Sequence, residues 1–589
     1  MEHNMILSAS GWRKVFAASG VEQDKSPEIT DIDTALSAIA ADVFFDYVSK
    51  ETGQENPVIA VGMDTRPTGT AIADAVLRSL VNKKAIVQFL GVASAPEIIA
   101  FAKKIDGLIY ISASHNPIGH NGIKFGLNDG GVLCGKENAK LVEDFTARIS
   151  KENALETTLS WIKSASGTEL RTIYGNASAS KHNAKRAYED FARRTIAGSE
   201  DKERQDDFFN EIKNSMMLRP LGVVVDFNGS SRTLCIDREF FKANKINFYE
   251  INSAAGEIVH EIIPEAENLV HVAREMERLQ SLGHKEVVLG YMPDCDGDRG
   301  NIVYWDEKEE KAVILKAQEV FSLSVLAELT YAIWTSSDSS FKPAVAVNCP
   351  TSMRIEEIAK PLGADVFRAE VGEANVVNLA REKRDEGYTV PILGEGSNGG
   401  TITYPASVRD PLNTVFAILK LLTFRDAGLY ELWCAISGHE YKSDFTLTDI
   451  LDSIPKYTTT GVSEPRAILK IKNTDHTDLK EKFQKLFETE WENSNTRKKY
   501  KLDSYEGVIT NGTKETRNVT EWKLSGKGGL KVLFYRKDEP EPVAFIWMRG
   551  SGTAHVFRVM CDVKNTDGFD NIQMEKDLLE WERQLLAEC

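Results

Sequence analysis

The sequence predicts an α/β fold: three similar α/β domains followed by a smaller carboxyl-terminal α+β domain. Three observations predict it. At 589 residues the chain is several times the usual domain length of about 100–150 residues, enough for three to five separate cores. Short apolar runs alternate with helical patterns in three successive stretches, the order expected of strand, loop and helix wound into parallel sheets with covering helices. After about residue 445 the pattern changes to lysine-rich helices and separate strand-like pieces. These changes divide the chain into 1–215, 216–325, 326–445 and 446–589. The three α/β stretches share a grammar rather than residues, so they are similar domains and not a strict repeat.

From Asp31 to Val48 the apolar residues Leu36, Ile39, Val43, Phe44 and Val48 recur at helical spacing, with Asp31 or Asp33 as the amino-terminal cap. Residues 57–62 and 85–90 read as strands and 70–80 and 97–104 as helices, and 108–111 is a buried strand. Asn121-Gly122 reads as a turn before an extended 123–125. Residues 150–215 are polar and helical. The second stretch opens with a strand at 221–226, a helix from Arg232, and two strands, 286–292 and 301–305, joined by an acidic loop. The third holds a long apolar helix over 317–333 and strands at 344–348 and 388–393. Near the carboxyl end come helices around 479–500, strands at 531–535 and 543–547, and a last helix with Leu578, Trp581 and Leu585 on one face.

Composition narrows the class. With 42% hydrophobic and 27% charged residues the chain reads as an ordinary globular protein, and no run of about 18 apolar residues offers a membrane span. The first residues lack a basic region followed by an apolar core, so a cytoplasmic location is expected. A net charge of −17 disfavours nucleic acid and anionic membranes as partners. Seven cysteines, odd in number and never spaced Cys-x-x-Cys, read as reduced thiols rather than disulfides or zinc ligands.

The chemistry lies in the loops. Ser114 follows the strand 108–111 in Ser112-Ala-Ser-His-Asn-Pro117, where a sheet presents ligands, and Arg66 falls at an equivalent strand end. An ordinary turn of Ser, His and Asn before Pro competes with a nucleophile here. Asp294, Asp296 and Asp298 alternate along one short loop and can converge on a hard cation, Mg²⁺ or Ca²⁺; a solvated acidic turn is the alternative. A calcium EF-hand does not fit, because its sixth and twelfth positions are Arg299 and Trp305. Glu395 and Ser397 sit in a glycine-rich loop and offer hydrogen bonds to sugar hydroxyls. Arg549-Gly-Ser551-Gly552-Thr553 combines a guanidinium, hydroxyls and approachable backbone amides, as a phosphate cradle requires. Each of these two loops is matched by the plain reading of a flexible turn.

Together these motifs resemble the α-D-phosphohexomutase superfamily, which includes the phosphoglucomutases and phosphomannomutases. The resemblance rests on Ser112-Ala-Ser114-His115-Asn116-Pro117, Asp294-x-Asp296-Gly-Asp298-Arg299, Gly394-Glu395-x-Ser397 and Arg549-x-Ser551-Gly552-Thr553, in that order along nearly the whole chain. Ser10-Gly11-x-Arg13, Asp64-Thr65-Arg66 and Asn121-Gly122-x-Lys124 add to it. It implies four domains around a central cleft, each supplying one loop. It implies that Ser114 carries a phosphoryl group, and that Mg²⁺ is held by Asp294, Asp296, Asp298 and a phosphoserine oxygen at Ser114. Arg299 and Lys124 would add positive charge, Arg13 would steady the phosphoserine, and Lys124 or His115 would do the general acid/base work, Lys124 ahead. Arg66, Glu395, Ser397, Arg549, Ser551, Gly552, Thr553 and Arg558 would bind substrate. The implied reaction interconverts sugar 1-phosphate and sugar 6-phosphate, with glucose 1,6-bisphosphate or the matching sugar bisphosphate as activator and intermediate.

Two departures bear on the substrate. Thr553 is followed by Ala554-His555 where the family often has Glu-Pro, and the sugar loop matches neither the Glu-Glu-Ser nor the Ser-Gly-His form. The chain length and the polar stretch 150–215 resemble the longer phosphoglucomutase and phosphopentomutase branch, which favours glucose phosphate as substrate, with phosphomannomutase and phosphopentomutase activity as the alternatives within the family. A non-catalytic sugar-phosphate sensor and a phosphoserine phosphatase are the rival readings. Retention of Ser114, the three aspartates and Lys124 speaks against the sensor.

Overall fold

A computed structural model describes the chain apart from residues 2, 130, 134, 337, 339, 399, 472, 474, 538 and 551–555. The chain forms two compact units. The first is Met1–Trp305 with Lys311–Ile314 and Ala406–Asn413; the second is Asp306–Glu310, Leu315–Pro405 and Thr414–Cys589.

The first unit holds two sheets. In the six-stranded one the order is Ile6–Ser8, Gly11–Val15, His120–Leu127, Gly107–Ile111, Val58–Met63, Ile86–Val92. Val58–Met63 lies parallel to both Ile86–Val92 and Gly107–Ile111, because the helices Gly69–Asn82 and Ala95–Ala102 carry the chain back across the sheet. The three strands read from sequence at 57–62, 85–90 and 108–111 are thus parallel as expected, and the remaining strands add to them in antiparallel pairing. The connection 112–119 is shorter than the crossover of about a dozen residues that a parallel return needs. Asn121-Gly122 is no turn but part of the strand His120–Leu127. Glycine is required at 122 because a Cβ there would lie 2.8 Å from the Ser112 carbonyl oxygen and 2.9 Å from that of Trp12.

Trp12 anchors the neighbouring strand. Its indole is fully buried, meets Phe125 edge-on at 4.9 Å, and donates from Nε1 to Asn138 at 2.8 Å. Because side chains alternate across a strand, a core-facing Trp12 turns Arg13 to the opposite face. The helix Asp31–Thr52 is capped by Thr30, whose hydroxyl accepts from the Asp33 amide, and not by the aspartates. An extended Thr30 leaves its Oγ over the free amides of the first turn, whereas Asp31 is already helical.

The second sheet has the order Lys311–Ile314, Gly300–Asp306, Val287–Pro293, Gly222–Asp226, Asn247–Ile251. Val287–Pro293 and Gly300–Asp306 form an antiparallel hairpin with the acidic loop at its tip. The helix expected from Arg232 is a short 3-10 turn, Ser231–Leu234, and the α-helix begins at Asp237. Helices Ala154–Lys163, Gly167–Ala197 and Lys202–Leu218 account for the polar stretch.

In the second unit, one sheet runs Asp365–Ala369, Pro343–Asn348, Thr389–Glu395, Gly400–Thr403, parallel except for the last strand. The other runs Tyr457–Thr459, Val556–Lys564, Ala544–Gly550, Gly529–Arg536, Leu502–Asn511, Lys514–Thr516, with Ile468–Lys470 pairing against Val556–Lys564. Helices His476–Trp491 and Asn571–Glu588 cover it, and Leu578, Trp581 and Leu585 are buried as their spacing predicts. Among the described residues no helix is long and apolar enough to cross a membrane. The described cysteines are all free thiols.

Candidate active site

In the first unit the chain leaves Gly107–Ile111 and turns sharply, with the Ser114 amide donating to Ser112 Oγ at 2.8 Å. Ser114 takes the left-handed backbone conformation, φ +55°, which a residue with a Cβ adopts only when its surroundings impose it. Arg66 imposes it. Its guanidinium donates to the carbonyl oxygens of Ser114 (2.7 Å), Asn116 (2.5 Å), Pro117 (2.5 Å) and His120 (3.1 Å), and its Nε lies 3.3 Å from Asp64. Arg66 was expected to bind substrate, but its side chain has no exposed surface. A planar five-donor fork that faces backbone oxygens holds the loop and presents nothing to a ligand.

The acidic loop meets Ser114 directly. Ser114 Oγ donates to Asp294 Oδ2 at 2.8 Å, while Asp294 Oδ1 accepts from the amides of Asp298 (3.2 Å) and Arg299 (3.1 Å). Lys124 Nζ lies 2.6 Å from Asp296, and Arg409 donates to Asp298 at 3.0 Å. The three aspartates offer ligand oxygens within 4.8 Å of one another, all buried. Burial pushes the Asp294 carboxyl well above the carboxylate range, and the charges of Asp296 and Asp298 push the same way. Burial raises Asp296 too, yet the Lys124 ammonium outweighs it and holds that carboxyl below its ordinary value. Asp296 Oδ1 and Asp298 Oδ1 are buried without a hydrogen-bond partner among the described residues. Oxygen-only donors with orphaned atoms aimed at one point fit a magnesium ion that completes its shell from a phosphate.

Orphaned donors face the same centre. Arg13 Nε and Arg299 Nε are buried without a hydrogen-bond acceptor among the described residues, as expected of cations that wait for an anion. Burial pulls the Arg13 guanidinium down while Asp296 opposes it. His115 Nδ1 lies 3.4 Å from Ser114 Oγ. The Arg299 charge, burial and Arg13 together hold its imidazole well below the usual range, so it is neutral at physiological pH.

Behind the acidic loop stands a buried network that the sequence did not reveal. Arg232, fully buried, donates to Asp237 at 2.9 Å and to Gly297 O, Asp410 and the Tyr188 hydroxyl at 3.1 Å each. Tyr188 in turn donates to Asp410 at 2.6 Å, and Tyr291 to Asp237 at 2.6 Å. Gly297 is left-handed, φ +72°, and a Cβ on it would lie 2.5 Å from Arg232 Cγ, so the loop can rest on the arginine only through a glycine. Arg232→Met leaves two carboxylates buried without their cation, and is expected to lower stability to urea by about 3–5 kcal/mol.

In the second unit, Asn348 at the end of Pro343–Asn348 gathers the sugar loop. Its Nδ2 donates to Glu395 at 3.0 Å and to Ser397 Oγ at 3.3 Å, and the Gly372 amide donates to Glu395 at 2.8 Å. Glu395 and Ser397 thus stand together, as expected. Arg549, one third exposed, lies 3.0 Å from Glu370, whose other oxygen accepts from Thr510 Oγ1 at 3.1 Å and from the Gly529 amide. Arg558 pairs opposite Arg549 in the sheet and donates to Val462 O at 3.0 Å. Ser551, Gly552 and Thr553 lie outside the described residues.

Lys480, missed from sequence because it sits in a helix of ordinary lysines, is fully buried and donates to Gly526 O at 2.9 Å and to Gly528 O. Burial pulls its ammonium down to about 7, Glu370 opposing and Arg549 assisting. The unfolded chain keeps that proton to about pH 10.4, so between pH 7 and that value unfolding takes up a proton and folding is favoured as pH rises. Urea unfolding should show the wild type gaining on the order of 1–2 kcal/mol over Lys480→Met between pH 7 and pH 9.

Family models agree with this geometry. One for phosphoglucomutase/phosphomannomutase alpha/beta/alpha domain I matches residues 11–152, and one for domain III matches 325–437. A phosphoglucosamine mutase of Methanococcus aeolicus is 26% identical over 428 residues, covering 71% of this chain and 78% of its own. A phosphoglucomutase/phosphomannomutase of Thermococcus kodakarensis is 25% identical over 452 residues, 75% of this chain and 81% of its own. The crystal structure of a phosphoglucomutase/phosphomannomutase family protein from Burkholderia thailandensis superposes with a TM-score of 0.60 at 17% identity, covering 98% of this chain and 97% of that one. On the two domain models and the motifs the loops carry, the chain is similar to the phosphoglucomutase/phosphomannomutase proteins of the α-D-phosphohexomutase superfamily.

Proposed function

We propose that the protein is a phosphohexomutase that interconverts glucose 1-phosphate and glucose 6-phosphate through phosphorylated Ser114 and a 1,6-bisphosphate. The observation that carries this reading is the 2.8 Å bond from Ser114 Oγ to Asp294, which joins a nucleophile to three buried carboxylates with two orphaned oxygens. A sensor has no need of that union. The four sheets fall one to each of the stretches 1–215, 216–325, 326–445 and 446–589, which is the domain division we propose.

In the first half-reaction the Ser114 Oγ–P bond breaks as a bond from phosphorus to the sugar O6 forms. Neutral His115 is the acceptor of the O6 proton, since Lys124 is engaged by Asp296 at 2.6 Å. After the bisphosphate turns over, the P–O1 bond breaks, Ser114 is rephosphorylated, and the proton returns to O1. Asp294, Asp296 and Asp298 would hold Mg²⁺, which when bound supplies positive charge to the phosphoryl oxygens. Arg13 and Arg299 direct their free donors at the same group. Glu395 and Ser397 read the sugar hydroxyls, while Arg549, Ser551, Gly552, Thr553 and Arg558 are the residues proposed to hold the distant phosphate.

Glucose phosphate is favoured by chain length and the helical stretch 150–215; the names of the phosphoglucosamine mutase relatives make glucosamine phosphate its first competitor. Phosphorus NMR decides, with Mg²⁺, a trace of glucose 1,6-bisphosphate, and in turn the 1-phosphates of glucose, glucosamine, mannose and ribose. Conversion to a terminal-carbon phosphate, fastest for glucose, is expected. Faster turnover of another sugar reassigns the substrate, free phosphate points to a phosphatase, and binding without turnover to a sensor.

A further inference from the structure

The second unit contains a cavity of about 510 Å³ bounded by the strands Asp365–Ala369 and Gly529–Arg536, with none of Glu395, Ser397 or Arg549 in its lining. That volume is typical of small-molecule sites. Its apolar wall includes Met353, Val366, Val508 and Leu533. Lys531 also lines it, on the same strand face as Leu533, and is 2% exposed.

Most charges around the cavity are paired, while Lys531, Asp365 and Glu515 make no ion pair among the described residues. Arg368 bonds Glu356 at 2.7 Å, Lys360 bonds Glu541 at 2.7 Å, Lys564 bonds Glu357, and Arg517 bonds Glu506 at 2.8 Å. Among the described residues no carboxylate or hydrogen-bond acceptor engages the Lys531 ammonium, whose one recorded contact is the Phe545 ring, 4.6 Å away. A buried cation with no carboxylate in direct contact is unfavourable unless something else supplies a closer partner. Burial pulls this ammonium below its ordinary value and Arg368 pulls the same way, while Cys349, Glu515 and Glu356 oppose them.

We propose that this cavity is a binding site for a small organic monocarboxylate, whose anionic end pairs with Lys531 and whose apolar body lies against Val366, Val508 and Leu533. Asp365 and Glu515, which line the same space, disfavour a multiply charged ligand such as a sugar bisphosphate. The strand Asp365–Ala369 leads into Glu370, which holds both Arg549 and the Gly529 amide. An occupant therefore bears on the phosphate-binding end, and its role is regulatory, a point that rests on the mutase reading.

The test takes the full chain and a probe series from butyrate to 4-phenylbutyrate, with 4-phenylbutyramide as the uncharged match, followed by saturation-transfer NMR and calorimetry. Saturable binding of the longer acids is expected, at least tenfold weaker for the amide and for Lys531→Met, and retained in Lys531→Arg. Val366→Trp should block it by filling the cavity. Lys531→Met is expected to fold, since it removes an uncompensated buried charge. Failure of every acid to saturate, equal binding of acid and amide, or undiminished binding to Lys531→Met would each overturn the site. In a parallel arm the bound acid should shift KM for the sugar phosphate in the wild type and not in Lys531→Met. Absence of any turnover alongside intact binding would fault the mutase reading and leave the site standing, whereas binding with turnover but no KM shift would overturn the regulatory role.

Discussion

Ser114→Ala is expected to abolish mutase turnover, by on the order of 10⁴-fold or more, while sugar-phosphate binding persists. The substitution removes the oxygen on which the phosphoryl group would be carried and one hydrogen bond to Asp294. The latter contributes only about 1 kcal/mol to stability, so collapse of the fold is not a competing explanation. Ser114→Gly makes a second control, because glycine takes φ +55° without strain. It should be as inactive as the alanine variant and as well folded. Phosphorus NMR gives the turnover, calorimetry with glucose 1-phosphate the binding, and intact-mass spectrometry the phosphoryl group itself. Residual turnover within about tenfold of wild type in either variant would remove Ser114 from the mechanism.

Asp296→Asn is expected to lower kcat by on the order of 10²–10³-fold with KM changed by no more than about threefold. Asp296 is fully buried, its one oxygen paired with Lys124 at 2.6 Å and the other orphaned. Asparagine keeps the shape, removes a metal ligand charge, and leaves the Lys124 ammonium, 9% exposed, opposite a neutral amide. Both changes act on the transferring group, and neither touches Glu395, Ser397 or Arg549. Higher Mg²⁺ should restore part of the loss, which a coupled assay across a Mg²⁺ titration would detect. An equal fall in affinity and turnover, insensitive to Mg²⁺, would instead make Asp296 a ground-state binding residue.

The parts that sequence made legible are those whose meaning is local. Asp294, Asp296 and Asp298 lie within five positions, and Ser114 follows directly on an apolar strand, so residue order alone brings their chemistry together. Tertiary partners are another matter. Arg232 meets Asp410 across 178 positions, and Tyr188 meets Asp410 across 222. No periodicity marks such a pair, and Arg409 beside Asp298 was hidden for the same reason. Arg66 misled in the opposite way, since its position at a strand end suits a ligand-binding cation and only the folded loop reveals four carbonyls around it. Antiparallel pairing was missed because an apolar run looks alike in either direction. Lys531, read as one residue of a strand, gave no sign that its ammonium is buried against the Phe545 ring.

The Arg66 clamp grips the Ser114 loop by main-chain oxygens alone, and these are the same whatever side chains the loop bears. Substitution at 116, 117 or 120 can therefore drift without redirecting the serine, whereas adding or deleting a single residue would displace an oxygen from the fork. Length, more than spelling, is what the clamp requires of this loop.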